Sequence, residues 1–307
     1  MHGEINVMSL VISTLRMTAP LFIGAMGGLM AAKSGMMAMG LESMMLSGAF
    51  GAVFCSYMTG NVPLSFLFGA ACGCVVGLAF GFLSIRCRVD QVICGIGLNL
   101  FVLGGTTVLM QFVWKNSGNS PGVPSLTTPL VIPLLNRIPV VGTVFSSMST
   151  NFYLSLVTVA AVWYVLYRTG FGLRLRMVGE NPTAAGTLGI PVRRYKYLAM
   201  AACGMLGGYA GAFLSLDHLN LFAKDMVAGR GYIILVILAL GKYYPFGAAL
   251  AALLFGFADS LQMNLQQVTD VPTKLIQMIP YMMTLLVLTF GVKHVKGPAG
   301  MGKLPEE

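Results

Sequence analysis

The chain has 307 residues, of which 56% are hydrophobic and 9% charged, and its mean hydropathy is +0.80. A soluble domain carries about 25% charge, so the composition excludes a water-soluble enzyme, a nucleic-acid-binding module and a disordered linker, and describes a chain built for lipid. The net charge of +9, from 19 Lys+Arg and 10 Asp+Glu, fits basic loops on an anionic leaflet rather than a nucleic-acid partner.

Apolar runs near the length that crosses about 30 Å of hydrocarbon fall at 7–32, 41–58, 62–84, 90–114, 151–167, 197–216, 231–241, 246–264 and 275–292. They predict an all-α polytopic membrane bundle of about 8–10 transmembrane helices, some broken or re-entrant. In the first run Pro20 is followed by Gly24, Gly27 and Gly28, a pattern for a bent or discontinuous helix. The run 231–241 is too short to cross alone; it either extends back through Gly229-Arg230-Gly231 or is half of a broken helix. The 38 glycines suit close helix packing, and the 22 methionines fill gaps. Cys55, Cys72, Cys74, Cys87, Cys94 and Cys203 form no metal or disulfide pattern and read as small apolar side chains. No removable signal peptide is expected at the N-terminus.

Basic residues orient the bundle. Arg86 and Arg88, the group from Arg168 to Lys196, and Lys293, Lys296 and Lys303 are assigned to the cytoplasm; the connection 115–150 is assigned outside. The side on which the N-terminus lies stays open. Trp114 and Trp163 read as interfacial anchors.

The loop 168–196 carries the most specific pattern. Asn181 suits a helix cap, Pro182 the first helical position, and Gly189 the left-handed residue beyond the end. The prediction is a short rigid helix over 182–188 with Ala184, Ala185 and Gly186 on its surface, a knob for a groove on another protein. The alternative is a loop that hugs the lipid surface.

The stretch from Phe171 to Ile190 resembles the coupling loop of ABC-importer permeases of the branched-chain amino acid and simple-sugar group, most of all its nucleoside subgroup. Three further segments match in order: Gly40-Leu41-Glu42 with Gly48-Ala49, Asp90 through Leu100, and Gly229 through Ile233 with Pro245-Phe246-Gly247. The chain departs from the usual pattern at Ala38, Ser43 and Asp90. The resemblance implies one transmembrane permease domain over 1–307, with a coupling loop at 168–196 and a cytoplasmic tail at 293–307, in a prokaryotic plasma membrane. It implies two permease subunits, identical or homologous, two ATPase subunits, and an external binding protein or lipoprotein. It assigns ATPase coupling to Gly179, Glu180, Asn181, Pro182, Ala184, Ala185 and Gly189. The 307 residues contain no G-x-x-x-x-G-K-[ST], so no cofactor is expected on this chain and ATP belongs to a partner. Nucleosides are the expected cargo; simple sugars or branched-chain amino acids are the alternatives, and an ion-coupled secondary transporter stands further off.

Polar residues inside apolar runs are the pathway candidates. Glu42 is suited to accept hydrogen bonds from a substrate, to pair with Lys33, or to cap backbone groups at a helix break. Gln91, Gly95 and Asn99 share one helix face at i, i+4, i+8, as a cavity wall or an interhelical seam. Asp259, Gln262 and Asn264 read as a solvated helix end, Asp217 and His218 as facing the outer water, and Asp225 and Arg230 as loop charges. No cluster has catalytic or metal-ligating spacing, so neither site is expected.

Overall fold

A computed structural model describes residues 7–124, 148–268, 272–287, 289 and 297–302. Among these residues the regular structure is helical, apart from one isolated antiparallel bridge between Asn119 and Ala223. Among the described residues six helices are long and apolar enough to cross a membrane. The all-α polytopic reading therefore holds, and the chain is a multi-pass membrane protein.

α1 (Val7–Lys33) is followed by α2 (Leu41–Thr59) and α3 (Val62–Gly81), which ends in a π-turn over Phe82–Arg86. α4 (Gln91–Trp114) and α5 (Thr150–Arg168) lead to two short helices, α6 (Gly170–Glu180) and α7 (Pro182–Thr187). α8 (Val192–Phe213) widens into a π-turn over Leu214–Leu219 before α9 (Arg230–Leu240) and α10 (Pro245–Val268). α11 (Thr273–Ile276) and α12 (Ile279–Leu286) follow.

The core is set by how closely backbones approach. Gly69, Gly73 and Gly77 repeat every four residues on α3 and face Gly204 and Gly208 of α8. A Cβ on Gly73 would lie 2.5 Å from the Gly208 Cα, and one on Gly77 would lie 2.9 Å from the Gly204 Cα. Only hydrogen fits between these helices, so packing rather than polar bonding joins them. α2 completes the tight trio and is buried along most of its length.

Pro20 does not break α1, which runs unbroken through it. Proline leaves the carbonyl four residues earlier without its helical donor. That carbonyl belongs to Arg16, and His218, in the π-turn after α8, lines the same cavity as Arg16. α9 spans 11 residues, about 16 Å, which settles the short run as a half-length helix.

At one end of the bundle lie the turn after α1, the start of α4, the end of α6 and the tail segment 297–302. The Arg86 and Arg88 loop and α7 belong to this basic end. At the other end, 118–123 pairs with 220–224 through Ser120 N–H to Phe222 O (2.8 Å), Val123 N–H to Asn220 O (2.9 Å) and Lys224 N–H to Gly118 O (2.9 Å). Trp114 packs edge-on against Phe50 and Tyr57 there. α1 enters from this far end and finishes, at Lys33, at the basic one.

Candidate functional site

Between α1 and α2 the chain leaves helical structure over residues 36–38 and rises along α4 into the bundle. Backbone groups there have no helical partners, and in an apolar interior each needs one. The Gln91–Gly95–Asn99 face supplies them. The Met37 N–H donates to Gln91 Oε1 (2.6 Å), and the Ser43 N–H donates to Asn99 Oδ1 (3.0 Å). Asn99 Nδ2 donates to the Met39 carbonyl (3.3 Å) and to the Tyr232 hydroxyl (2.6 Å). Gly95 lets α4 come close enough, since a Cβ there would sit 2.5 Å from the Met39 Cβ. The face is therefore an interhelical seam, and it holds mainly the backbone before and at a helix start, with the Tyr232 hydroxyl beside it.

Glu42 has a similar role. Its Oε1 accepts from the Gly229 N–H (2.8 Å) and its Oε2 from the Gly231 N–H (2.7 Å). The carboxylate caps the N-terminus of α9, where the helix dipole favours negative charge. Gly229 has φ of +79°, and a Cβ on Gly231 would lie 2.7 Å from the Glu42 Cα. Of the three roles open to Glu42, the geometry selects the backbone cap at a helix break. Asn99 and Tyr232 differ from Glu42 and Gln91 in exposure: Glu42 and Gln91 are buried, whereas Asn99 is half-buried and Tyr232 is 43% exposed, on the outside of the bundle midway along α4.

Three sequence expectations are corrected toward the far end. Asp259 is not solvated: it is 7% exposed and pairs with the Arg230 Nε at 3.4 Å. Arg230 is not a free loop charge; it also donates to the Met226 carbonyl (3.3 Å). Asp217 accepts from Asn151 Nδ2 (3.3 Å), and Asn151 Oδ1 accepts from the Tyr209 hydroxyl (3.1 Å). Asp217 and His218 turn inward, onto a cavity of about 450 Å3 whose wall also includes Ser13, Arg16, Arg230 and Asn264. A second cavity of about 210 Å3, between Arg230, Asp259, Gln262 and Tyr281, lies across the ion pair. Sequence spacing gave no sign of these pairings, because each partner sits on a separate helix.

At the basic end the predicted knob is present as α7. Asn181 Oδ1 accepts from the Ala184 N–H (3.0 Å). At the other end Gly189 adopts φ of +75°, its N–H donates to the Gly186 carbonyl (2.9 Å), and the Ile190 N–H donates to the Ala185 carbonyl (3.1 Å). Both closing bonds of a Schellman turn are made. Ala184, Gly186 and Thr187 are exposed, and Leu188 is 68% exposed. Ala185 is a correction. It is 1% exposed and faces the protein, so it lies under the knob rather than on its surface. The helix ends at Thr187, one residue before the expected end. Gly179 and Glu180 lie at the root of α7: a Cβ on Gly179 would come within 2.8 Å of the Lys33 carbonyl carbon. Arg176 stacks on the Tyr167 ring at 4.7 Å and Arg174 donates to the Tyr195 hydroxyl (3.3 Å), holding the basic arms against the bundle. The departure at Asp90 keeps its local job, since its carboxylate accepts from the Val92 (2.9 Å) and Ile93 (3.2 Å) N–H groups and caps α4. The tail positions 293–296 and 303–307 lie outside the described residues, as does most of the connection 115–150.

Known proteins resemble the chain along almost its whole length. Residues 10–288 match the model of a family described as branched-chain amino acid transport system / permease component. The chain is 33% identical to the guanosine ABC transporter permease protein NupQ of Bacillus subtilis, over 97% of each chain. It is 32% identical to the nucleoside ABC transporter permease protein NupC of Lactococcus lactis, again over 97% of each. It is also 33% identical to TsgC13 of Haloferax volcanii, provisionally named a glucose ABC transporter permease protein, over 91% of this chain and 90% of that one. With a family match along almost its whole length and relatives about a third identical end to end, the chain belongs to the branched-chain amino acid transport system permease family.

Proposed function

We propose that the chain is the permease subunit of an ATP-driven importer of nucleosides. The observation that carries this reading is α7: a helix closed at both ends, presenting small side chains to water at the basic end, in a chain without a phosphate-binding loop. Such a piece transmits force without bending, and suits a groove on a separate ATPase. The basic end then faces the cytoplasm. Hydrolysis occurs on two partner ATPases, the pore contains a second permease, and an external binding protein or lipoprotein delivers the cargo. The nucleoside assignment rests on the names of two close relatives.

Within the bundle Glu42 and Gln91 hold the frame, while Asn99 and Tyr232 offer polar tips on its outside. A polar tip facing lipid is costly, so this face is assigned to the solute path beside the second permease. The cavity bordered by Arg230 and Asp217 has the size of a small-molecule site and is assigned to the outer vestibule.

The test is uptake into proteoliposomes holding the chain with its ATPase, second permease and binding protein. Guanosine, adenosine and uridine should enter only with ATP, ahead of glucose, ribose and leucine. ATP-driven glucose entry with no nucleoside entry would move the substrate to the sugar reading, which the Haloferax relative favours. Uptake driven by an ion gradient without ATP would overturn the assignment altogether.

A further inference from the structure

The segment Gly297-Pro298-Ala299-Gly300-Met301-Gly302 lies more than 100 residues after α7 in sequence and against its root in space. The Gly300 N–H donates to the Gly179 carbonyl (2.9 Å), and the Ala299 N–H donates to Glu180 Oε2 (3.2 Å). Gly179 and Glu180 directly precede the Asn181 cap of α7. Two residues on, the Gly302 N–H donates to the Gly35 carbonyl (3.1 Å), at the turn that ends α1. Met301 lines a small cavity of about 90 Å3 with Met37, Met39, Leu238 and Tyr243, and a Cβ on Gly297 would lie 3.4 Å from the Tyr243 ring. Tyr243 lies three residues past the end of α9, and its N–H donates to the Leu238 carbonyl (2.9 Å). Six residues thus touch the root of the knob and the start of the α1–α2 break, and reach Tyr243, which is bonded to the end of the half-length helix.

The contact has no slack. A Cβ on Gly300 would stand 2.7 Å from the Gly179 carbonyl oxygen and 3.1 Å from Pro182 Cδ, the first residue of α7. The backbone of the tail therefore lies directly against the backbone of the α7 root. Of α9, the tail engages the end opposite to the one Glu42 caps.

We infer that residues 297–302 are a strut that carries displacement of α7 to α9, so that the ATPase stroke reaches the Glu42-capped helix. This positioning role rests on the coupling reading of α7. The tail touches no solute and gives the ATPase no groove of its own; it sets where α9 stands when α7 moves. Because packed interfaces shift between discrete arrangements, a strut whose backbone is bonded to the α7 root and to the turn after α1, and which packs on the Tyr243 ring beyond α9, is the kind of element that transfers such a shift.

The test uses the full assembly with Gly300→Val, which forces the tail off α7, and Ala299→Pro, which removes the N–H that Glu180 receives. Three quantities are read together: co-purification of the ATPase, ATP hydrolysis, and uptake. Expected are near-normal co-purification and continued hydrolysis, with uptake lower by about tenfold. Uptake within twofold of the unmodified assembly for both variants overturns the strut. Loss of co-purification in step with uptake also overturns it, assigning the tail to folding or docking. The coupling reading itself fails differently: then Ala184→Glu leaves both co-purification and uptake intact, whatever the tail variants do.

Discussion

Replacing Glu42 by glutamine changes one atom and tests the mid-bundle frame. The carboxylate takes two backbone N–H groups, from Gly229 at 2.8 Å and Gly231 at 2.7 Å. A glutamine keeps one acceptor oxygen and turns an NH2 toward the other amide, so one bond is lost and a donor meets a donor. Hydrogen bonds to a charged group contribute about 1.5–3 kcal/mol each. Glu42→Gln should therefore cost about 1.5–3 kcal/mol, and Glu42→Ala, which orphans both amides, about 3–6 kcal/mol. Glu42→Asp, one methylene shorter, cannot reach both amides at once and should fall with the glutamine variant. The assay is thermal unfolding of the purified chain in lipid nanodiscs, paired with uptake across a panel of nucleosides. The expected result is a graded loss of stability, alanine worst, with uptake falling and the order of preferred nucleosides unchanged. If Glu42→Gln unfolds at the unmodified temperature while its nucleoside preference changes, the capping argument is wrong and Glu42 is a substrate contact.

Asn99→Leu removes three bonds from the α4 seam and should destabilise by about 0.6–2 kcal/mol while also altering substrate preference; unchanged preference in a folded variant would reassign Asn99 to packing alone. Tyr232→Phe, which deletes only the hydroxyl, should reproduce the change in preference with little loss of stability, read by the same unfolding and uptake measurements. Ala184→Glu should leave the chain folded and abolish ATPase co-purification, whereas Ala185→Glu places a charge where the side chain is 1% exposed and should lower the unfolding temperature before any docking is measured. Arg230→Met strands Asp259 in the interior at a cost of about 3–5 kcal/mol; adding Asp259→Leu should restore most of the lost stability, and a double variant as unstable as the single one would show that the pair is not the reason.

The parts of this molecule that were legible in sequence are those whose causes are local. The cap at Asn181, Pro182 after it and the left-handed Gly189 lie within nine positions, and together they specify α7 to within one residue. The spacing of Gln91, Gly95 and Asn99 likewise exposed a polar face, because helical periodicity is written along the chain. Its partner was not legible, since that partner is the backbone of residues 37–43 and carries no side-chain signature. Glu42 and Gly229 are 187 positions apart, and no rule of spacing links a Gly-Leu-Glu triplet to a Gly-Arg-Gly triplet. The same distance hid the partner of Asp259, which reads as a helix-end charge until Arg230 is placed beside it. Pro20 allowed a bent or a discontinuous helix, and the helix runs through it without a break; which of the two a proline gives depends on packing from helices far along the chain.

Two kinds of junction divide the bundle, and the division bears on where it can move. α2, α3 and α8 meet through glycines whose backbones leave no room for a methyl group, so any sliding there meets immediate steric resistance. α9 is held otherwise. One end hangs on the Glu42 carboxylate, the other leans on Tyr243 and the tail, and Tyr232 in its first turn reaches Asn99 through a single hydroxyl. Hydrogen bonds of this sort can break and re-form with new partners as a helix shifts, whereas interlocked glycine backbones cannot without separating the helices. α9 is also the helix that stops midway, so its start carries the ends of two backbone segments into the interior, and Arg230 with Asp259 stands beside that point. A stroke delivered at α7, as proposed, meets a rigid trio on one side and a half-length helix with replaceable polar tethers on the other, and the second is the side that shifts with less steric resistance.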